Sequence, residues 1–287
     1  MITRVSSVSR SVEISPGGPT VLIGERISPS ARRGLGEALL AGDYSIVRKE
    51  AVDQVAAGAQ IIDLVVSYQE LDEISAIREA VKAVMEVSDA PLCVDSADPA
   101  VLEAALGAYE GKMLVSSVTG EEKRIAQVLP LVKRYGCAVI ALTSDESGIP
   151  GDAQARLAIA RKIVAAAEAI GVPREDVIVD CACMTVGTDT GAALVTLEAA
   201  RLIRAELGCN LTLGASNVSY GLPDRRVVNT AFLPLAIAAG INCPIVDPTV
   251  EGLRELVLAT DLLLDRDRWA TRYTRNFKAK RTAASRS

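Results

Sequence analysis

The chain predicts an α/β fold, a single closed (β/α)8 barrel, on three observations. Eight short runs rich in β-branched and other apolar residues recur along the 287 residues, and each is followed by a stretch whose apolar residues return at helical spacing. The runs are almost continuously apolar, as strands covered on both faces are, which describes parallel strands joined by crossover helices. Neither a GxGxxG nor a Walker pattern is present, and eight units within about 250 residues fit a closed barrel better than an open doubly wound sheet.

The elements follow in order. Residues 1–19 are expected to form an N-terminal extension, a short hairpin covering the barrel floor. The barrel domain, 20–271, opens with TVLIGER (20–26) and a helix over 35–58, then QIIDLVVS (60–67) and a helix over 71–88. APLCVDS (90–96) leads to a helix over 99–109, where Asp98 before Pro99 supplies a side-chain acceptor and a preset first turn. KMLVSSV (112–118), CAVIALT (137–143) and DVIVDCA (176–182) precede helices over 121–135, 151–170 and 191–207. LTLGASN (211–217) precedes 222–239, and CPIVDPT (243–249) precedes 250–265. Gly58, Gly136, Gly171, Gly208 and Gly240 stand between a helix and the next strand, where a left-handed residue closes a helix. Residues 272–287, RYTRNFKAKRTAASRS, read as a basic polar tail in solvent. The uncharged stretch 227–246 approaches membrane-spanning length, but Pro234, Gly240, Asn242 and Pro244 break it into helix, turn and strand, so no membrane segment is expected.

Composition narrows the chemistry. The net charge is −5, acidic and basic residues are interspersed, and no broad basic face offers itself to nucleic acid. The first residues lack the apolar core of a signal peptide, which predicts a cytoplasmic protein. Of Cys93, Cys137, Cys181, Cys183, Cys209 and Cys243, five lie in or beside apolar runs, as reduced core cysteines do. Cys181 and Cys183 form the one candidate metal pair, but two further ligands are missing and the chain contains no histidine, so no bound metal is expected. Without histidine, Ser-His-Asp and Cys-His catalysis and imidazole acid–base work are excluded. Carboxylates, amides, hydroxyls, Lys, Arg and Tyr remain.

In barrels of this kind the strand ends and following loops form the site. The polar residues there are Glu25, Arg26, Asp63, Ser67, Asp95, Ser96, Ser116, Ser117, Thr143, Asp145, Asp180, Ser216, Asn217 and Asp247. Several have structural readings: Glu25 beside Arg26 as an ion pair, and Asp63 and Asp247 as caps or loop anchors. Asp95 and Asp180 follow LCV and VIV, so each carboxylate leaves a buried strand and needs a partner, such as a ligand rich in N–H donors.

VLIGERI, PLCVDSADPAVLEAAL, KMLVSSVTGEE, VIALTSDESGIP, VIVDCACMTVGTD and LTLGASNVSYGLPDRRVVNTAFL, in this order, resemble the pterin-binding methyltransferases that move a methyl group between tetrahydrofolate and a corrinoid. The likeness spans nearly the whole chain and extends to the folate domain of cobalamin-dependent methionine synthase; dihydropteroate synthase is a more distant relative with the same barrel. The resemblance implies that Asp95 and Asp180 accept hydrogen bonds from the pterin ring, and that Ser116 takes the place of a pterin-contacting Asn. Asp63 and Ser216 complete the expected pterin contacts, and Asn217 is the expected catalytic residue. Its amide would hydrogen-bond N5, which must become a better leaving group as charge develops, without itself taking charge. Ser28, Val65, Ser67 and Asp98 are further departures from the family's pattern, and with Ser116 they leave open whether the pterin is ordinary tetrahydrofolate.

Corrinoid modules commonly ligate cobalt through a histidine, and this chain has neither that residue nor a spare domain, so the cobalamin is expected on a separate corrinoid protein. A non-catalytic pterin-binding subunit is the alternative. A dihydropteroate synthase is disfavoured because that family's late Arg-x-His cannot exist here. The resemblance and the sparse charge of VVNTAFLPLAIAA predict a homodimer. The methyl source and the direction of transfer stay open.

Overall fold

A computed structural model describes residues 1–284. Strands β1 (Thr3–Ser6) and β2 (Ser11–Ile14) pair as an antiparallel hairpin. Eight parallel strands follow: β3 (Ile23–Ile27), β4 (Ile61–Leu64), β5 (Leu92–Asp95), β6 (Leu114–Val118), β7 (Ala138–Leu142), β8 (Val177–Asp180), β9 (Asn210–Thr212) and β10 (Ile245–Val246). Their order is β10-β3-β4-β5-β6-β7-β8-β9, and a bridge between Gly214 and Ile245 joins the two ends. The sheet therefore forms the predicted (β/α)8 barrel, with helices packed around it.

The two-residue period of the strands divides the core in two. Inward positions Ile23, Ile61, Cys93, Leu114, Ala138, Ile140, Ile178 and Cys243 fill the barrel together with Val5, Val12 and Ile14 of the hairpin. The intervening residues, such as Ile62, Leu64, Leu92, Val94, Val177 and Val179, pack outward under the helices. The hairpin plugs the floor and is tied there by Asn210, whose Nδ2 donates to the Ile14 carbonyl at 2.9 Å and to Thr3 Oγ1 at 2.8 Å. All six cysteines are free and buried in these cores.

The helices are α1 (Leu35–Leu40), α2 (Ser45–Ala57), α3 (Glu73–Met85), α4 (Pro99–Ala108), α5 (Glu122–Tyr135), α6 (Ala153–Ala169), α7 (Ala192–Leu207), α8 (Arg225–Ala239), α9 (Leu253–Leu263) and α10 (Thr271–Ala284). Asp98 opens α4 as expected, accepting from the Ala100 amide at 2.9 Å. None is long and apolar enough to cross a membrane.

Three elements differ from the sequence reading. The helix expected over 35–58 is two, because Gly42 turns left-handed at φ 70° and Asp43 accepts from the Ser45 amide at 2.9 Å to start α2. The last two barrel strands are short, and residues 215–217, expected to continue β9, instead belong to a 3-10 turn over Ala215–Ser219. Most of the expected tail is α10, docked on α9: Arg272 Nη1 meets Asp261 Oδ2 at 2.9 Å and Asn276 Nδ2 donates to Glu255 Oε1 at 3.0 Å. Residues 285–287 of that tail lie outside the described residues.

Candidate active site

Each inward strand position has a successor two residues on that faces the same way, one layer nearer the mouth. Ile23, Ile61, Cys93, Leu114 and Ile178 belong to the barrel interior. Their successors are Glu25, Asp63, Asp95, Ser116 and Asp180, and all five line one cavity of about 870 Å³ at the C-terminal ends of the strands. Ser216 and Asn217 close it from the 3-10 turn, and Ser28 and Val65 also line it. The structure thus brings every candidate pterin contact and the candidate catalytic Asn217 into one place. Ser67 is not among them; it donates to Glu73 Oε1 at 2.8 Å at the start of α3. Asp145 is likewise spent on its own turn, accepting from the Ser147 amide at 2.9 Å.

The acids are held in different ways. Asp63 is only 6% exposed and its Oδ1 meets no hydrogen-bond donor. Burial, and then the charge of Asp95, push its carboxyl up to about 8. Asp180 takes the Ala182 amide on Oδ1 at 2.7 Å, yet burial still lifts it to about 7. Asp95 opens onto the cavity while protein crowds its other sides; burial raises it to about 6 against the opposing charge of Arg124. Glu25 rises to about 7, chiefly through burial, despite the Ser216 hydroxyl that it accepts at 2.8 Å. A mouth of partly protonated carboxyls at neutral pH suits a neutral ligand carrying N–H donors better than a polyanion.

Glu25 does not pair with Arg26. Consecutive strand residues face opposite ways, and Arg26, at the rim of the mouth, binds Glu50 at 2.6 Å and Asp247 at 2.9 Å instead. Asp247 does anchor its loop, one of the two readings its place allowed, accepting from the Thr249 amide at 2.9 Å; Asp63 caps nothing.

Asn217 is exposed on the turn, and its side-chain amide makes no hydrogen bond to the protein among the described residues. The residue before the turn, Gly214, leaves it room: a Cβ there would stand 3.0 Å from Asn217 Nδ2. The turn itself is clamped by Arg225, whose Nη2 donates to the Ser216 carbonyl at 2.7 Å and whose Nε donates to Ser219 Oγ at 3.0 Å.

With the barrel and its mouth in place, comparison with known proteins is decisive about kinship. The sequence profile described as pterin binding enzyme matches residues 36–247, well over half of the chain. The chain belongs to the pterin-binding enzyme family. It is 28% identical to the methylcorrinoid:tetrahydrofolate methyltransferase of Eubacterium limosum over 266 residues, 90% of this chain and 96% of the other. It is 32% identical over 255 residues to the methionine synthase of Mycobacterium tuberculosis, covering 84% of this chain but only 21% of that much longer protein. Among solved structures, the dihydropteroate synthase of Yersinia pestis superposes with a TM-score of 0.69 at 16% identity, covering 92% of this chain and 99% of that one. At that identity the likeness speaks for the shared barrel.

Two arginines of this pterin-binding barrel escaped the sequence reading along with Arg225. Arg156, 1% exposed, spans from α6 to the loop after β8, its Nη1 donating to the carbonyls of Cys181 at 3.0 Å and Ala182 at 2.7 Å. It fixes the backbone beside Asp180. Its signal was visible: a cation at the head of the apolar stripe Ala160, Ile163, Ala167. Arg124 gathers the carbonyls of Ser96, Ala97 and Ser117 at 2.7, 2.6 and 2.9 Å, joining the loops behind Asp95 and Ser116. No local pattern announces it, because its partners are carbonyls.

Proposed function

We propose that the chain transfers a methyl group between N5 of tetrahydrofolate and the cobalt of a corrinoid carried by a separate protein, as a cytoplasmic enzyme. The observation that carries the reading is the pairing of Asp95 and Asp180 in the mouth with an unengaged amide, Asn217, on the turn above. The two acids would take the amino and ring N–H groups of a pterin, with Asp63, Ser116 and Ser216 completing the pocket. Asn217 would then donate to N5 as charge gathers there, an interaction formed chiefly in the transition state. Kinship with a methylcorrinoid:tetrahydrofolate methyltransferase along nearly the full length of both chains supports this over a non-catalytic pterin-binding role.

Mixing the purified chain with methylcobalamin and tetrahydrofolate under anaerobic reduction tests it. The spectrum of methylcob(III)alamin should decay at a rate proportional to protein; tetrahydrofolate binding without decay would support the non-catalytic alternative. Ser116→Asn tests the pterin. If ordinary tetrahydrofolate binds with a water filling the space of the short hydroxyl, the amide should keep or tighten affinity, whereas a loss of about tenfold, some 1.4 kcal/mol, would point to a pocket reshaped for another pterin.

A further inference from the structure

We propose that Glu25 holds the proton exchanged at N5 of the pterin and passes it through the hydroxyl of Ser216. The inference rests on the methyl-transfer reading and goes beyond it by naming the acid.

The reaction requires such a group. When the methyl leaves N5, the C–N bond breaks with its pair on nitrogen, cobalt(I) supplies the pair of the new Co–C bond, and N5 finishes as N–H. One proton must arrive. In the opposite direction the N5 pair attacks the methyl carbon, the Co–C pair returns to cobalt, and that proton must leave. Asn217 can hydrogen-bond N5 in either direction, but an amide neither supplies nor keeps a proton near neutrality. The chain has no histidine to do so.

Five carboxyls line the mouth; Asp247 is tied to Arg26 and the Thr249 amide, and of the other four one is wired to the turn that bears Asn217. Ser216, the residue before Asn217, donates its hydroxyl to Glu25 Oε1 at 2.8 Å. Asp180 is engaged with the Ala182 amide, Asp95 faces Arg124, and Asp63 Oδ1 has no donor; none is hydrogen-bonded to the turn. Arg225 grips the Ser216 carbonyl at 2.7 Å from the first turn of α8, so the hydroxyl is held between two anchors and stays aimed at Glu25. A hydroxyl can accept from a carboxylic acid while donating onward, and donate to a carboxylate while accepting, which is what a two-way relay needs.

The charged surroundings of Glu25 suit the task. Asp247 from the end of β10 disfavours its ionised form and Arg225 from α8 favours it; Asp63 from β4 lies close but keeps its own proton to a higher pH, and Arg26, next to Glu25 in β3, is engaged with Glu50 and Asp247. Burial and Asp247 outweigh the Ser216 hydroxyl and Arg225, leaving the carboxyl at about 7, where it can give and take a proton at neutral pH.

The test measures the rate of methyl transfer from N5-methyltetrahydrofolate to free cob(I)alamin against pH, using the full chain. The wild-type rate should fall as pH rises through about 7, because the protonated carboxyl is the active form in this direction. Glu25→Gln should lose that break and run about 10²-fold slower, the usual contribution of a positioned acid, while tetrahydrofolate affinity by calorimetry changes only a few-fold. Glu25→Asp should restore a break. Ser216→Ala, which leaves Glu25 intact and cuts the link, should lose it too, and it decides the matter if Glu25→Gln folds poorly. A Glu25→Gln or Ser216→Ala enzyme keeping the wild-type pH profile overturns the inference and leaves the methyl-transfer reading standing. A wild type that binds the folate and transfers nothing overturns both.

Discussion

Asn217 carries an amide that the protein leaves uncommitted, and truncating it should separate binding from turnover. Asn217→Ala should slow methyl transfer about 10²-fold, the scale of one lost donor at a site of developing charge, while tetrahydrofolate affinity stays within a few-fold. An unchanged transfer rate would remove this residue from the chemistry. Asp63 makes a prediction about stability. A carboxyl raised to about 8 stabilises the fold fully at pH values below its unfolded pKa and loses that contribution as pH rises through the folded value. Glu25 and Asp180, both raised to about 7, act with the same sign. Asp63→Asn, neutral at every pH, should therefore melt above wild type at about pH 8.5, by roughly 2–4 °C per kcal/mol regained, and show no such gain at about pH 4. A variant that melts below wild type at about pH 8.5 would mean that the acid is stabilising when ionised. Much of the mouth was legible from its place at the strand ends: Asp63, Asp95, Ser116 and Asp180 sit two positions beyond an apolar inward residue. The partner of Glu25 was not, since Ser216 lies 191 residues away and only closure of the barrel brings them together.

Helix ends were read more reliably than strand ends. The left-handed glycines Gly58, Gly136, Gly171, Gly208 and Gly240 fall where the sequence placed them, because a helix closing on the next strand needs a residue free to take positive φ. The exit of β9 was misjudged because apolar continuity runs through Leu213 while the chain turns at Gly214 to follow the curvature of the barrel. Helix α10 was invisible for another reason: what orders it sits on α9, and its own charged residues are all cations. Asp261 is fully buried and takes the Thr20 amide at 3.0 Å, the Thr20 hydroxyl at 2.7 Å and the Arg272 guanidinium at 2.9 Å. Arg272→Ala leaves a buried carboxylate without its nearest cation, a loss of roughly 1–3 kcal/mol. Urea unfolding should show it, whereas Arg275→Ala, exposed on the same helix, should fall within about 0.5 kcal/mol of wild type. Equal effects from both would mean that α10 matters through helix formation and not through Asp261.

On the scale of the whole molecule, two groups stand out among the exposed apolar side chains. On α7 and α8, Leu194, Val227 and Leu235 are exposed, Leu235 by 56%, beside the buried Phe232, Leu233 and Ile237 that hold α8 to the barrel. Around the α9–α10 corner, Leu263, Trp269, Tyr273 and Phe277 are exposed, Trp269 by 93%. A monomer seldom leaves two such areas uncovered, and a stable interface needs about 800 Å² from each partner, which a pair of helices supplies. The sparse charge of VVNTAFLPLAIAA favours the α8 region, since a two-fold contact brings like charges face to face and so selects against them. Sedimentation at micromolar concentration should therefore give twice the 30.2 kDa chain mass. Leu235→Glu, which would place two carboxylates near the two-fold axis, should yield monomers with unchanged circular dichroism, and Trp269→Ser should remain dimeric. Dissociation by Trp269→Ser alone would move the interface to the α9–α10 corner, and a wild type that sediments only as a monomer would remove the dimer altogether.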